Sequence, residues 1–333
     1  ANSVSYPAAI ARLGSTCILE DTMSLATELE GGRYTIYERL PRLVAPHIEG
    51  ALDQKLALCY SLASFPEYPV HYLMIGEPAT VKTELIEEAR RIMPDAFYAG
   101  PRSTVSGLTA NVDDGSLGLL ARANGGLALL DELDKLPARA TKCLYEAMES
   151  GRITINSRKL KRELDSRFVC IATANPRGDV FAENARVARK QLLDSVPAAL
   201  LSRFHLVFVL RQPVGKELEK TVSRILIRSS RENPNLPFLQ RYFQTIKDVC
   251  PSVRCQLDPR SPSVKAARKY LAREIAASKR GRLGAPLSVR AAEALRRLCI
   301  SSARMRLSRQ VDDLDVWNAL SIMKASLATW PRN

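Results

Sequence analysis

The stretch MIGEPATVKT, residues 74–83, constrains the fold more than any other part of the chain. An apolar run through Val70, Tyr72, Leu73, Met74 and Ile75 ends at Gly76. Lys82 and Thr83 then open a helical spacing in Glu84, Leu85, Ile86, Glu87 and Ala89. Strand, glycine turn, then lysine and a hydroxyl at a helix N-terminus is the layout of a Walker A phosphate loop. The candidate loop residues are Gly76, Glu77, Pro78, Ala79, Thr80, Val81, Lys82 and Thr83. The second glycine of the general pattern is absent, and Val81 stands in its place.

Three further apolar runs, 126–131, 167–175 and 204–210, have the length and near-continuous hydrophobicity of strands buried on both faces. They alternate with helical patterns, so a parallel α/β core is expected from about residue 33 to 212. Residues 1–32 read as an N-terminal arm ending in Gly31-Gly32. From 213 to 333 strand signals give way to helical stretches at 216–229, 237–249, 263–278, 288–307 and 312–328. These predict a separate helical half.

The net charge of +14 over 333 residues points to a polyanionic partner; a basic surface without a partner is the alternative. The seven cysteines lack a CxxC pair and the three histidines are far apart, so no zinc or other metal cluster is expected. Reduced thiols and the lack of a signal-peptide pattern suggest an intracellular protein, in the cytoplasm of a prokaryote or the nucleus of a eukaryote. No apolar run reaches the ~18 residues of a membrane span.

LALLDELDKL, 127–136, places Asp131 and Glu132 at the C-terminal end of a buried strand, the edge where open parallel sheets bind ligands. Adjacent carboxylates there suit a magnesium–water shell and activation of a water for attack on phosphate. An acidic helix start is the plainer explanation. Asn175 ends the next strand, where an amide can orient water or simply start a turn before Pro176. Arg203 lies among apolar residues just before the last strand, either snorkelling or reaching a phosphate across a subunit boundary.

Taken together these stretches resemble the AAA+ motor domain of the MCM (minichromosome maintenance) replicative helicases. The resemblance rests on GEPATVKT, GLTA followed by LARANGGLALLDELDKL, LYEAMESGRITI followed by SRFVCIATANP, and LLSRFHLVF. LVAPHIEG upstream and PLSVRAAEALRRLCISSARMRL with VDDLDVWNAL downstream extend it from Tyr34 to Leu327. It implies a P-loop AAA+ core with a parallel sheet followed by a helical lid, with ATP and Mg2+ as cofactors and a ring, usually of six subunits. Lys82 would contact the β- and γ-phosphates, and Thr83 and Asp131 the magnesium. Glu132 would polarise water, with Asn175 as sensor 1, Arg203 as arginine finger and Arg290 as sensor 2. The last two act on a neighbour's nucleotide in this family.

ESGRITINSRKLKRELDS, 149–166, is similar to the family's pre-sensor hairpin, which grips DNA backbone. Ser157 stands near the expected lysine, but Arg158, Lys159, Lys161 and Arg162 crowd beside it and preserve phosphate gripping on single- or double-stranded DNA. A solvated charge run is the alternative. The family's N-terminal half is not recognisable, so the chain reads as part of a longer protein or as a version with that half reduced.

Three departures stand out. Ala79 and Val81 replace smaller or more permissive residues in the loop; Ala79 is expected to be mild, while a stiff Val81 would cost about 1–2 kcal/mol if its φ were positive. The insert NVDDGSLGLLARAN, 111–124, is shorter than the family's by about eight residues, enough to remove a hairpin tip. His205 follows Phe204 where the family carries an acid. These leave three functions to weigh: a DNA-dependent ATPase motor that unwinds or translocates, a degenerate homologue that binds DNA or partner subunits with little turnover, and a magnesium-chelatase or MoxR-like relative.

Overall fold

The computed structural model describes residues 35–100, 105–108, 117–156, 161–227 and 232–331. Helices α1 (Ile36–Leu43) and α2 (Leu52–Leu62) lead in. Thr35 and Glu38 close a capping box at the start of α1. Strand β1 (Tyr72–Gly76) follows, then α3 (Lys82–Ile92), β2 (Phe97–Ala99) and β3 (Leu127–Leu130). Helix α4 (Ala138–Ser150) runs into a hairpin of β4 (Arg152–Asn156) and β5 (Lys161–Asp165). Strand β6 (Val169–Ala174), helix α5 (Ala185–Ser195) and β7 (Leu206–Leu210) complete the α/β part.

The five strands of the main sheet are all parallel, in the order β2-β3-β6-β1-β7. Strands β1, β3, β6 and β7 are buried at every residue, which explains their continuous hydrophobicity. All four strand runs expected from the sequence are present. The edge strand β2 is additional: its three residues Phe97, Tyr98 and Ala99 are too short a run to stand out in the sequence.

Beyond β7 the described chain is helical, apart from an isolated bridge between Arg254 and Gln310. Its helices are α6 (Lys216–Ile227), α7 (Leu236–Val249), α8 (Pro262–Lys279), α9 (Arg290–Met305) and α10 (Asp313–Ala328). None is long and apolar enough to cross a membrane.

Strand β7 has β1 on one side only, so its other edge needs hydrogen-bonding partners. The end of α10 supplies them. Ser326 Oγ accepts from Val207 N at 3.1 Å and donates to Val207 O at 2.8 Å. Trp330 Nε1 donates to the same carbonyl at 3.0 Å, and Thr329 Oγ1 accepts from Val209 N at 2.9 Å. Side chains of the helical part thus finish the sheet.

A second joint ties the lid to α1 and centres on the buried Asp315. Its carboxylate accepts from Arg306 Nε at 3.0 Å and Nη2 at 2.7 Å, Ser302 Oγ at 2.8 Å, Tyr37 OH at 3.3 Å and Asp312 N at 2.9 Å. Burial and the neighbouring carboxylate push the Tyr37 hydroxyl well above its ordinary pKa. Replacing Asp315 with Asn takes the charged acceptor from the partly buried Arg306 guanidinium, which keeps Asp312 and Gln310 O, and leaves the buried Ser302 and Tyr37 hydroxyls with fewer acceptors. Asp315→Asn is expected to cost about 1–3 kcal/mol, read as a lower urea midpoint at an unchanged slope.

Candidate active site

Gly76 closes β1 against Leu210 of β7. A Cβ at Gly76 would meet Leu210 Cβ at 2.7 Å and Leu210 O at 2.8 Å, so only glycine fits. Glu77 N donates to Leu210 O at 3.1 Å. The Glu77 carboxylate turns away from the loop and accepts from Phe181 N at 3.0 Å and Gln212 N at 2.6 Å. It braces the turn from outside.

Within the turn, Lys82 Nζ donates to Gly76 O at 2.6 Å, Glu77 O at 2.7 Å and Thr80 Oγ1 at 3.1 Å. Thr80 Oγ1 in turn donates to Glu77 O at 2.8 Å. Lys82 is only 5% exposed. Burial pulls its pKa down to about 8, while the nearby carboxylates of Asp131, Asp134, Glu132 and Glu77 act in the opposite sense. Thr83 lies exposed in the first turn of α3, whose orphan N–H groups face the loop.

The backbone strain lies elsewhere than the sequence suggests. Val81 has φ −65° and ψ 0°, an unstrained start to α3, and packs against the core. Ala79 holds φ 58°, in the left-handed region that glycine enters freely. The substitution that looked mild is therefore the strained one: a Cβ matters little by its bulk here and more by the conformation it opposes.

The ends of β3 and β6 face this loop across the sheet edge. Asp131 is buried and accepts from Thr173 Oγ1 at 2.5 Å and Tyr98 OH at 3.4 Å. Glu132 takes φ 57°, its N–H donating to the same Thr173 hydroxyl at 3.0 Å, and its carboxylate meets Lys135 Nζ at 2.6 Å. Thr173, which no motif marked, thereby fixes both acids. Asp134 was also missed: its carboxylate accepts from Asn175 N at 2.8 Å, and burial raises its pKa. Lys82, Asp131, Glu132 and Asn175 thus belong to one sheet edge. For magnesium the donors would be the Thr83 hydroxyl and the Asp131 carboxylate, the rest being phosphate and water, which suits a hard octahedral ion.

Arg203 and Arg290 lie in a different place. They line a cleft of about 280 Å³ with Glu149, Ser202, Leu287 and Trp330, and none of residues 76–83, 131, 132 or 175 borders it. Arg203 Nη2 donates to Tyr145 OH at 3.0 Å, pairs with the Glu149 carboxylate, and its guanidinium stands 4.8 Å above the Tyr145 ring. Tyr145 and Glu149 are four residues apart on α4 and share one face. Hydrogen bonds from Tyr145 and Arg203 hold the Glu149 carboxyl below its ordinary pKa. Arg290, the first residue of α9, donates from Nη1 to Ser202 Oγ at 2.8 Å.

His205 is part of the support behind this cleft. Its Nδ1 accepts from His71 N at 2.8 Å, and the two rings stack with centroids 5.1 Å apart. Burial lowers both pKa values, that of His71 to about 3, so neutral imidazoles join the start of β1 to that of β7. The β4–β5 hairpin pairs antiparallel from Arg152 with Asp165 to Asn156 with Lys161, burying Ile153, Ile155 and Leu164. Arg162 is exposed on it. Arg158 and Lys159, like residues 111–116 of the shortened insert, lie outside the described residues, as does the Lys161 side chain.

The MCM P-loop domain model matches residues 27–230, and the MCM AAA-lid domain model matches residues 238–327. The chain belongs to the MCM family. It is 28% identical to the minichromosome maintenance protein MCM of Saccharolobus solfataricus over 324 residues, 88% of this chain and 45% of that protein. It is 28% identical to the DNA replication licensing factor mcm5-B of Xenopus laevis over 322 residues, covering 87% and 43%. Against the DNA replication licensing factor MCM4 of Oryza sativa subsp. japonica the identity is 27% over 321 residues, covering 88% and 36%. The chain therefore spans less than half the length of these MCM relatives. The strand–loop–helix at Lys82 falls within the matched MCM P-loop domain.

The φ values make a sharp comparison possible. Ala79→Gly removes the left-handed penalty of about 1–2 kcal/mol and returns about 0.4–1 kcal/mol of it to the unfolded chain's entropy. A net stabilisation of up to about 1.6 kcal/mol is expected. Val81→Ala relieves no backbone strain and loses packing, so it is expected to be neutral or destabilising. Paired denaturation curves check both; a stabilising Val81→Ala with an inert Ala79→Gly would contradict the assignment.

Proposed function

We propose that this chain is the motor part of an MCM-type AAA+ protein that hydrolyses ATP with Mg2+ and couples turnover to movement along or unwinding of DNA in replication. In this reading 33–212 is the ATPase core, 213–333 the lid and 1–32 a linking arm. Such a protein works in the cytoplasm of a prokaryote or the nucleus of a eukaryote. One observation carries the reading: the catalytic groups fall into two places. Lys82, Asp131, Glu132 and Asn175 gather at one sheet edge, while Arg203 and Arg290 line a separate cleft. A complete site then needs two chains, and a closed ring, of six by family precedent, gives every nucleotide both halves.

In this arrangement Lys82 exchanges its bonds to Gly76 O and Glu77 O for the phosphates, and Thr83 and Asp131 would hold a magnesium ion. The ion would offset charge on the β- and γ-phosphates. Glu132, set by its left-handed backbone and the Thr173 hydroxyl, orients the attacking water beside Asn175. Arg203 comes from the neighbouring chain to meet charge building on the transferred phosphoryl group. The β4–β5 hairpin, with Arg158, Lys159, Lys161 and Arg162, grips DNA phosphates.

A second reading is a homologue that binds DNA or partner subunits with little turnover, and Ala79 in the left-handed region favours it. Mixing experiments separate the two. Glu132→Ala protein and Arg203→Ala protein should each be inactive alone, yet regain ATP hydrolysis when mixed under assembling conditions, at interfaces receiving one intact half from each. An arginine supplied in trans is worth about 10³–10⁵ in rate, so few restored interfaces suffice for detection. Unmodified protein and every mixture without turnover would leave the second reading.

Proton linkage gives an independent check on Lys82. Its pKa of about 8 in the nucleotide-free protein means the charge is lost as pH rises through 8, whereas bound phosphates favour the charged form. ATP affinity is expected to fall above pH 8, with proton uptake on binding, measured calorimetrically in buffers of different ionisation enthalpy. Affinity flat from pH 7 to about 9.5 would exclude Lys82 from the phosphate contact.

A further inference from the structure

Helix α8 (Pro262–Lys279) buries Ser263, Ala267 and Leu271, a single stripe at i, i+4 and i+8 that packs on α10. Its opposite face is exposed and basic. Lys265, Arg268, Lys269, Arg273, Lys279 and the C-cap Arg280 all lie there, within an arc of about 140° at 100° per residue. Between Pro259 and Arg282 the single carboxylate is Glu274. Glu274 pairs with Arg273 at 2.7 Å. Among the described residues, Lys265, Arg268, Lys269, Lys279 and Arg280 have no carboxylate within 4.0 Å. Lys324 of α10 adds a further exposed cation, seated 5.0 Å above the Tyr270 ring.

Helix physics accounts for only part of this. Cations in the last turn, Lys279 and Arg280, complement the helix dipole. Lys265 sits at the opposite end, in the first turn, where the same dipole disfavours it, and Arg268 and Lys269 gain nothing from either end. Unpaired like charges at i, i+3 and i+4 repel. An array that costs the isolated helix stability is explained by an external anion.

We propose that the exposed face of α8 binds the sugar–phosphate backbone of duplex DNA, independently of base sequence and of the β4–β5 hairpin. The stripe from Lys265 to Arg280 is about 22 Å long at 1.5 Å per residue. A duplex strand presents a phosphate about every 3.4 Å, so about six phosphates lie along it. An acidic protein partner fits less well. The stripe offers only Ala272 and Ala276 between its charges, with no aromatic or large aliphatic anchor, and lysine is depleted at protein interface cores. Single strands are served poorly too, because no aromatic side chain stands free on this face for stacking; Tyr270 is covered by Arg273 at 5.4 Å and by Lys324.

The test compares two variants with equal loss of charge. One carries Arg268→Gln, Lys269→Gln, Lys279→Gln and Arg280→Gln. The other carries Arg90→Gln, Lys216→Gln, Arg241→Gln and Lys247→Gln, exposed cations elsewhere. Each is titrated with a duplex of about 20 base pairs over a salt series, without nucleotide, so a failed ATPase cannot affect the result. The slope of log affinity against log salt is expected to flatten by about 3–4 in the stripe variant, at about 0.9 per phosphate contact, and by less than about 1 in the other. The pair Arg268→Lys and Arg280→Lys is expected to keep the full slope, which shows that charge rather than helix integrity is being read. An unchanged slope in the stripe variant, equal flattening in both variants, or loss of binding to a poly-glutamate peptide with duplex binding intact would each overturn the proposal.

Discussion

The structure depends on the placement of β1 between β6 and β7 in a sheet whose described strands are all parallel. Because every strand runs the same way, the ends of β1, β3 and β6 open on one edge, and all groups following them arrive together. The tight contact between Gly76 and Leu210 sets where the chain leaves β1. From there the loop can curl back on Lys82, whose ammonium is held by the two carbonyls that begin the turn. Nothing else in the loop supplies so many of its internal bonds.

Around that edge the supporting residues are plain ones. A threonine hydroxyl on β6 serves Asp131 and the backbone of Glu132 at once. A carboxylate, Asp134, receives the backbone of Asn175. Two strand ends are thereby locked to each other, and a third through the packing of α3 beneath the sheet. The edge carries left-handed backbone at Ala79 and Glu132, where sheet and helix around them hold the conformation in place.

The helical part completes the α/β part more than it merely follows it. Ser326, Thr329 and Trp330 satisfy the free edge of β7, and Asp315 gathers groups from α1, α9 and α10. The cleft of Arg203 and Arg290 lies on this seam, with one arginine preceding β7 and the other opening α9. Movement of the lid against the sheet would therefore change the distance between these two arginines. The Tyr145–Glu149 face holds only the first of them.

The four long strands, the helical second half, the loop around Lys82 and the acidic strand end are legible in the chain because each is a local pattern: unbroken apolar runs, a glycine where two strands close, charges at an element's end. Its likeness to one family over nearly its whole length fixed the roles to be tested. The rest depends on contacts between distant parts of the chain. Ala79 and Val81 exchange their apparent costs because φ depends on how the loop is anchored to β7 and α3, which no neighbouring residue reveals. Thr173 and Asp134 act through partners some forty residues away. His205 looked unexplained until β1 and β7 were set side by side, since its partner His71 is 134 residues distant. The separation of Arg203 from Lys82 is likewise a property of the packed sheet, because chain order says nothing about which groups can reach one another and which need a second chain.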